Sequence, residues 1–215
     1  MRVLLYPWFG SKPKHYIKYS EMYKNIYGTS TIIDIVPYSI KDAVTYTRWK
    51  KQRAGYLTEP IKHKNYDCLH MISGGALVAH NHLNYYNDIQ STHTIFDSGP
   101  FWPDSNMESN YFCEMTGMSS KLADPLSALI KYYFKIIEGM PYDEEQIKYN
   151  NWINTHTNSL FLLNRNDRLL FINQIDRLVE NTSSTLVHID APHARLIESK
   201  KYKENIEKYL NEGAK

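Results

Sequence analysis

Short apolar runs alternate with amphipathic stretches along this chain. Residues 3–6, Val-Leu-Leu-Tyr, are apolar and end at Pro7, a pattern typical of a strand buried on both faces. Apolar residues spaced three and four apart then predict a helix that begins at Lys12-Pro13 and ends at Gly28. Similar patterns predict strands at about 31–36, 67–72, 92–96, 159–163 and 184–189, and helices at about 40–52, 76–86, 168–180 and 199–211. Such alternation predicts a mostly parallel sheet with helices on both faces and ligands bound at the carboxyl ends of the strands.

Residues 101 to about 156 interrupt this alternation. Asp124-Pro125 is expected to open a helix on which Leu126, Leu129 and Ile130 share a face, and Asp143 to begin another. Insertions at this end of a parallel sheet overhang the ligand site, so the sequence predicts a helical cap at about 101–156 within one domain spanning 1–215. Ordinary packing helices are the alternative interpretation.

Composition narrows the class of protein. The chain has 215 residues, of which 42% are hydrophobic and 22% charged, as expected for a single globular domain. No apolar run approaches the ~20 residues of a membrane span, and residues 1–7 are too short for a secretory signal, so a soluble, intracellular and most simply cytoplasmic protein is expected.

A net charge of +2 and the absence of glycine-rich phosphate loops do not favour nucleic acid or nucleotide as a partner. Cys68 and Cys113 lack metal-ligand spacing, and no metal or cofactor is expected. The oligomeric state stays open.

The segment around Ser73 has the pattern of a nucleophile elbow. A short buried strand leads to Ser73-Gly74-Gly75, and a helix opens directly afterwards. The turn is sharp, so Gly75 must lack a side chain, and the amide of Gly74 is expected to face a developing oxyanion. Met71 departs from the usual G-x-S-x-G, in which a glycine stands at that place. A plain turn without chemistry is the alternative.

A serine hydroxyl becomes a good nucleophile only when a histidine takes its proton and an acid orients that histidine. On a sheet with this elbow the chain order is serine, acid, histidine, each at the carboxyl end of a strand. Asp167 follows a later strand than Ser73, and His193 follows the last strand. These three residues are the predicted triad. Asp97, which also ends a strand, is the rival acid, and His188 is the weaker candidate base.

The surroundings of Ser73 predict how a substrate is held. The loop after the first strand is expected to supply a second oxyanion donor from the amide of Phe9 or Gly10, with Trp8 as a wall. Phe101 and Trp102 follow Asp97 at the start of the expected cap. Aromatic walls favour an apolar acyl or alkyl group, and simple packing of the cap on the sheet is the alternative.

Several pieces of the chain resemble one known family. They are Leu5-Tyr6-Pro7-Trp8-Phe9-Gly10, the tract 18–23, His70-Met71-Ile72-Ser73-Gly74-Gly75, Ile95-Phe96-Asp97-Ser98-Gly99-Pro100, Asn166-Asp167 and Ala191-Pro192-His193. Outside the 101–156 insert the chain thereby resembles the transmembrane-protein-53-like family of α/β-hydrolase-fold proteins. The resemblance implies that fold and a triad at the positions of Ser73, Asp167 and His193. The residue after the serine, often asparagine in the family, is Gly74 here. The membrane association in the family's name is not carried over.

Two functions follow from these patterns. The first is a serine hydrolase that cleaves a carboxylic ester or related acyl bond of a small molecule through an acyl-enzyme. The second is a catalytically silent protein of the same fold that binds a ligand or a protein partner in the same pocket. Labelling of Ser73 by a fluorophosphonate probe separates the two.

Overall fold

The computed structural model of the chain describes residues 1–8, 11–38, 61–100, 109–110, 113, 117–137, 139–167, 169, 172–180 and 182–212. The strands are β1 (Arg2–Tyr6), β2 (Ile32–Ile35), β3 (Asn65–Ile72), β4 (Gln90–Asp97), β5 (Leu160–Leu163) and β6 (Thr185–His188). The helices are α1 (Pro13–Tyr27), α2 (Gly75–Tyr85), α3 (Ser120–Tyr132), α4 (Tyr142–Asn154), α5 (Ile172–Glu180) and α6 (Lys200–Glu212). A π-helical turn, Tyr133–Ile137, extends α3, and a 3-10 turn, Leu196–Glu198, precedes α6.

The strands form one parallel sheet in the order β2-β1-β3-β4-β5-β6. The register places Val3 of β1 between Ile33 of β2 and Cys68 of β3. Because all strands run the same way, the loops after β3, β4, β5 and β6 open at one edge of the sheet. The predicted parallel sheet is confirmed, and this edge collects the residues that end its strands.

Alternate side chains of the strands feed two separate cores. Tyr6 and Phe96 lie on one face, in a cluster that also holds Tyr149 of α4. Leu5 and Ile95 lie on the opposite face, with Tyr202 of α6. Successive side chains of a strand point to opposite faces, so apolar runs without alternation require a cover on both. Helices on both faces, as predicted, supply that cover.

The segment between β4 and β5 differs from the expectation. The helix α3 begins at Ser120 rather than at Asp124-Pro125, and Pro125 lies inside it. Pro125 is the sixth residue of α3, so its missing N–H leaves the carbonyl of Lys121 without an intrahelical hydrogen bond, while its fixed φ of about −65° remains helical. The buried side chains of α3 are Ala123 and Ser127, whereas Leu129 is 61% exposed. Small residues therefore form its packing face, and the apolar face marked by Leu129 is turned outward.

The second helix of this segment, α4, packs on the sheet. Its Tyr149 and Ile153 belong to the same core as Phe96 of β4 and Phe161 of β5. Apolar residues one turn apart seat a helix against a sheet face, which is the position of an ordinary crossover helix. The helical cap predicted at about 101–156 stays a prediction.

Two sequence expectations fall on other parts of the chain. The helix predicted at 40–52 lies outside the described residues. The helix predicted from Arg168 is described from Ile172, with Leu169 in a preceding turn. Within the described ranges, no helix combines the length and hydropathy needed to cross a membrane, and no group of three or more potential metal ligands comes together.

A buried histidine makes stability depend on pH. His82 of α2 is fully buried next to the hydroxyl of Tyr6, at 3.1 Å from Nδ1, and its Nε2 has no hydrogen-bond partner among the described residues. Burial lowers the pKa of His82 from 6.5 to about 4. Between pH ~6.5 and ~4 the side chain of His82 is therefore protonated in the unfolded chain and neutral in the folded chain. The free energy of unfolding decreases as the pH falls through this range.

Urea unfolding at pH 7 and pH 5 tests this expectation. His82 should account for a loss on the order of 1–2 kcal/mol in the free energy of unfolding between these two values. His82→Gln keeps a polar partner for Tyr6 and does not titrate. The free energy of unfolding of this variant should therefore fall by about 1–2 kcal/mol less than that of the wild type between pH 7 and pH 5. An identical pH dependence in both proteins would contradict the role of His82.

Candidate active site

The turn after β3 holds Ser73 in an unusual backbone conformation. Its φ is +51°, in the left-handed region that a residue with a side chain avoids. Its N–H donates to the carbonyl oxygen of Asp97 at 2.7 Å, which fastens the turn to the end of β4. The chain then enters α2 at Gly75. Ser73 thus occupies a sharp strand-to-helix turn of the kind the sequence predicted.

Gly75 sits where no side chain fits. A Cβ built at this position would overlap the carbonyl oxygen of Tyr6 and lie 2.8 Å from its carbonyl carbon. These are backbone atoms of β1, so they cannot move aside as a flexible side chain would. Met71, which stands where the elbow pattern usually has glycine, is fully buried in the core on the α2 side of the sheet. The close approach is therefore needed at Gly75 and not at Met71.

The structure brings Ser73, His193 and Asp167 into one hydrogen-bonded chain. The hydroxyl of Ser73 lies 2.7 Å from Nε2 of His193, and Nδ1 of His193 lies 2.6 Å from Oδ2 of Asp167. Oδ1 of Asp167 accepts the N–H of Leu169 at 2.9 Å, which fixes the carboxylate. With Nδ1–H donating to the carboxylate, Nε2 is left as the acceptor of the serine proton. The Asp167 side chain is 2% exposed, so water screens this pair weakly.

The rival acid, Asp97, is occupied elsewhere. Its Oδ2 accepts hydrogen bonds from the hydroxyls of Tyr202 at 2.6 Å and Tyr19 at 3.1 Å. The histidine its carboxylate approaches is His70, at 3.9 Å from Oδ2. The rival base, His188, lies on β6, and its Nδ1 is buried without a partner among the described residues. Neither rival enters the chain from Ser73 to Asp167.

Sequence reasoning missed a residue that ties two loops of this site together. Nδ2 of Asn164 donates to the carbonyl oxygen of Ala191 at 2.8 Å, which joins the loop carrying Asp167 to the loop carrying His193. Oδ1 of Asn164 accepts the N–H of Asn166 at 2.9 Å, a local turn. An asparagine directly after a buried strand was the available signal, because such a side chain must find partners near the sheet edge.

The pocket-forming residues are described in part. Gly74 precedes the first residue of α2, where backbone N–H groups have no acceptor within the helix. Trp8 stacks on His15, with ring centroids 5.3 Å apart. Phe9, Gly10, Phe101 and Trp102 lie outside the described residues. The second oxyanion donor and the aromatic wall therefore stay predictions.

The fold has a counterpart among solved structures. The chain is similar to a carboxylesterase of the ammonia-oxidizing thaumarchaeon Nitrososphaera gargenis, with a TM-score of 0.52 and 8% identity over 99% of this chain and 90% of that chain. The chain has an α/β-hydrolase fold. At such low identity the similarity to the α/β-hydrolase neighbour extends to the fold alone.

Other comparisons add no further identity to this α/β-hydrolase fold. The N-formylmaleamic acid deformylase of Pseudomonas putida aligns with a TM-score of 0.44 and 9% identity, over 98% of this chain and 91% of that chain. No protein-family model and no curated protein sequence matches the chain. The narrower resemblance to the transmembrane-protein-53-like family stays a prediction.

Proposed function

We propose that this protein is a serine hydrolase that cleaves a carboxylic ester or related acyl bond of a small molecule. The observation that carries the proposal is the hydrogen-bonded chain from Ser73 Oγ through His193 to Asp167, with distances of 2.7 and 2.6 Å. The chain order serine, acid, histidine at one edge of a parallel sheet is that of α/β-hydrolases. The fold allows many functions, so the proposal rests on the site.

The first half of the proposed reaction forms an acyl-enzyme. Ser73 Oγ attacks the carbonyl carbon of the substrate while its proton passes to Nε2 of His193. Asp167 stabilises the imidazolium that forms, because its carboxylate already holds Nδ1–H. The carbonyl oxygen becomes an oxyanion, for which the N–H of Gly74 at the start of α2 is the proposed donor. The bond to the leaving alcohol then breaks, and His193 returns the proton to that alcohol.

The second half releases the acid. A water molecule attacks the acyl carbon and gives its proton to Nε2 of His193, and the bond from Ser73 Oγ to the acyl carbon breaks as the serine regains its proton. Atoms and protons balance with water as the one co-reactant. An apolar acyl or alkyl group, expected from Phe101, Trp102 and the rest of the predicted cap, is part of the proposal for the substrate.

Labelling by a fluorophosphonate probe tests the proposal. The wild type should be labelled at Ser73 and should hydrolyse short activated esters, since both reactions need the same activated serine. Ser73→Ala should lose labelling and hydrolysis and keep the melting temperature within about 2 °C, because one hydroxyl leaves the turn. Equal activity in the two proteins would refute the enzyme assignment. Absence of labelling in a folded wild type would favour the catalytically silent binding protein.

A further inference from the structure

A short turn after β4 contacts both the serine and the histidine loops. We refer to residues 97–99, Asp-Ser-Gly, as the bridging turn. The carbonyl oxygen of Asp97 accepts the N–H of Ser73 at 2.7 Å, and a Cβ at Gly99 would lie 3.2 Å from the carbonyl oxygen of Ser73. On its other side, the hydroxyl of Ser98 accepts the N–H of Ala194 at 2.9 Å. One turn therefore touches the nucleophile and the neighbour of His193.

The Ser98 hydroxyl has a fixed direction. It donates to Oδ1 of Asp97 at 2.8 Å, so its lone pairs are left for the N–H of Ala194. Ser98 is fully buried, and water does not compete for these bonds. Both Ser98 and Ala194 have left-handed backbones, with φ of +53° and +55°. Non-glycine residues persist in that conformation only where the surroundings hold them.

The carboxylate of Asp97 is itself held from two helices. Tyr19 of α1 and Tyr202 of α6 donate to its Oδ2 at 3.1 and 2.6 Å. Burial raises the pKa of both tyrosines well above 10, so they stay protonated donors. The hydroxyl of Tyr202 also lies 3.1 Å from Nε2 of His70, which can donate to it. Three hydroxyl groups donate hydrogen bonds to this carboxylate and fix its orientation. The carboxylate in turn fixes the orientation of the Ser98 hydroxyl.

We propose that Ser98 is a positioning residue that holds His193 within reach of Ser73. The side chain of His193 is 19% exposed and lies on a loop, so the fold needs a contact that fixes this loop relative to the elbow. Ser98 supplies it through the backbone of the next residue, while the same turn fixes the elbow. This inference rests on the proposed hydrolase function for its catalytic consequence, and on the hydrogen bonds alone for its structural part.

Ser98→Gly is the test variant. Glycine accepts a φ of +53° without strain, so the substitution removes the hydroxyl without adding backbone cost. We expect kcat for an activated ester to fall ~10- to 100-fold with KM changed less than twofold, because misplacement of a catalytic group by about 1 Å costs about that factor. Ser98→Cys, which keeps the shape and offers a weak acceptor, should give an intermediate kcat and serves if the glycine variant does not fold.

Tyr209→Phe is the matched control. It also removes a hydroxyl that bonds to backbone, at Thr94 within β4 and at Asn158 just before β5, and neither of these lies at the carboxyl ends of the strands where the site is. It should lower the melting temperature and leave kcat within about twofold. A kcat that falls equally in the control would mean that lost stability, and not loop position, explains the effect, and would overturn the inference.

Two NMR readouts do not depend on turnover. In Ser98→Gly the amide of Ala194 should exchange with solvent at least tenfold faster, and the proton between His193 Nδ1 and Asp167 should broaden or shift upfield, while Tyr209→Phe leaves both unchanged. Unchanged exchange, or faster exchange with an unchanged kcat, overturns the positioning role. If the wild type neither labels nor hydrolyses, the proposed function fails. The two NMR signals then still decide whether Ser98 holds the loop.

Discussion

Asp167→Asn is expected to lower kcat by ~10⁴ while the protein stays folded. Asparagine has nearly the same shape, so Leu169 keeps a side-chain acceptor and the turn survives. It carries no charge, however, and its amide can donate to Nδ1 of His193. The histidine would then favour the tautomer with a proton on Nε2, which cannot accept the proton of Ser73. Steady-state rates on an activated ester, with a melting curve for each protein, measure both effects.

Asp97→Asn is the control for that prediction. Asp97 accepts bonds from Tyr19, Tyr202 and Ser98 in a fully buried place. An amide group there would turn a donor toward hydroxyls that themselves donate, so the main expected loss is stability, by about 3 kcal/mol or more. The reverse result, with Asp167→Asn active and Asp97→Asn folded but inactive, would assign the acid to Asp97.

Gly75→Ala is expected to have the largest effect on folding of any single methyl addition among the described glycines. The added Cβ would overlap the carbonyl of Tyr6, and neither β1 nor the first turn of α2 can move without breaking contacts in a buried sheet. Overpacking of this kind costs about 3 kcal/mol or more when only backbone can yield. We expect a melting temperature lower by about 6–12 °C or more, or no folded protein, and loss of probe labelling in whatever folds.

Gly28→Ala gives the comparison. Gly28 ends α1 with a φ of +90°, and a Cβ there would meet nothing within 4 Å. That variant should lose about 1–3 kcal/mol, because its φ of +90° and ψ of +162° are backbone angles that essentially only glycine adopts, although no atom lies close enough to clash. Similar melting temperatures for the two alanine variants would show that the approach of β1 to α2 is looser than described.

The order of strands and helices could be predicted best where a strand is a short apolar run, as β1 is before Pro7 and β5 is before Asn164. Residues 3–6 and 159–163 have no alternation, and burial on both faces explains why. In contrast, the buried face of α3 could not be predicted from its apolar residues, because Ala123 and Ser127 pack inward and Leu129 does not. Periodicity identifies a stripe of apolar residues, and small residues that allow close approach leave no such stripe.

The sequence predicted Asp167 as the acid and left Asp97 as its rival. Asp97 and Asp167 both follow buried strands at the same sheet edge, so spacing and order treat them alike. The two carboxylates differ in their partners, because three hydroxyls, from α1, α6 and the bridging turn, donate hydrogen bonds to Asp97. Tyr19 and Tyr202 are 183 residues apart by number, and their meeting at one carboxylate depends on how the two helices cross the sheet. Local patterns carry no information about such a meeting.

Three residues of the site, Ser73, Ser98 and Ala194, have φ between +51° and +55°, and each carries a side chain. Such backbone conformations cost about 1–3 kcal/mol each, so the carboxyl edge of the sheet is strained, and interactions elsewhere in the fold offset this cost. Glycine at Ser73 or Ala194 would relieve this backbone strain, whereas glycine at Ser98 would also remove two buried hydrogen bonds. Selection for thermal stability would therefore favour substitutions at strained residues of the site. The more stable variants obtained in this way would have lower catalytic activity.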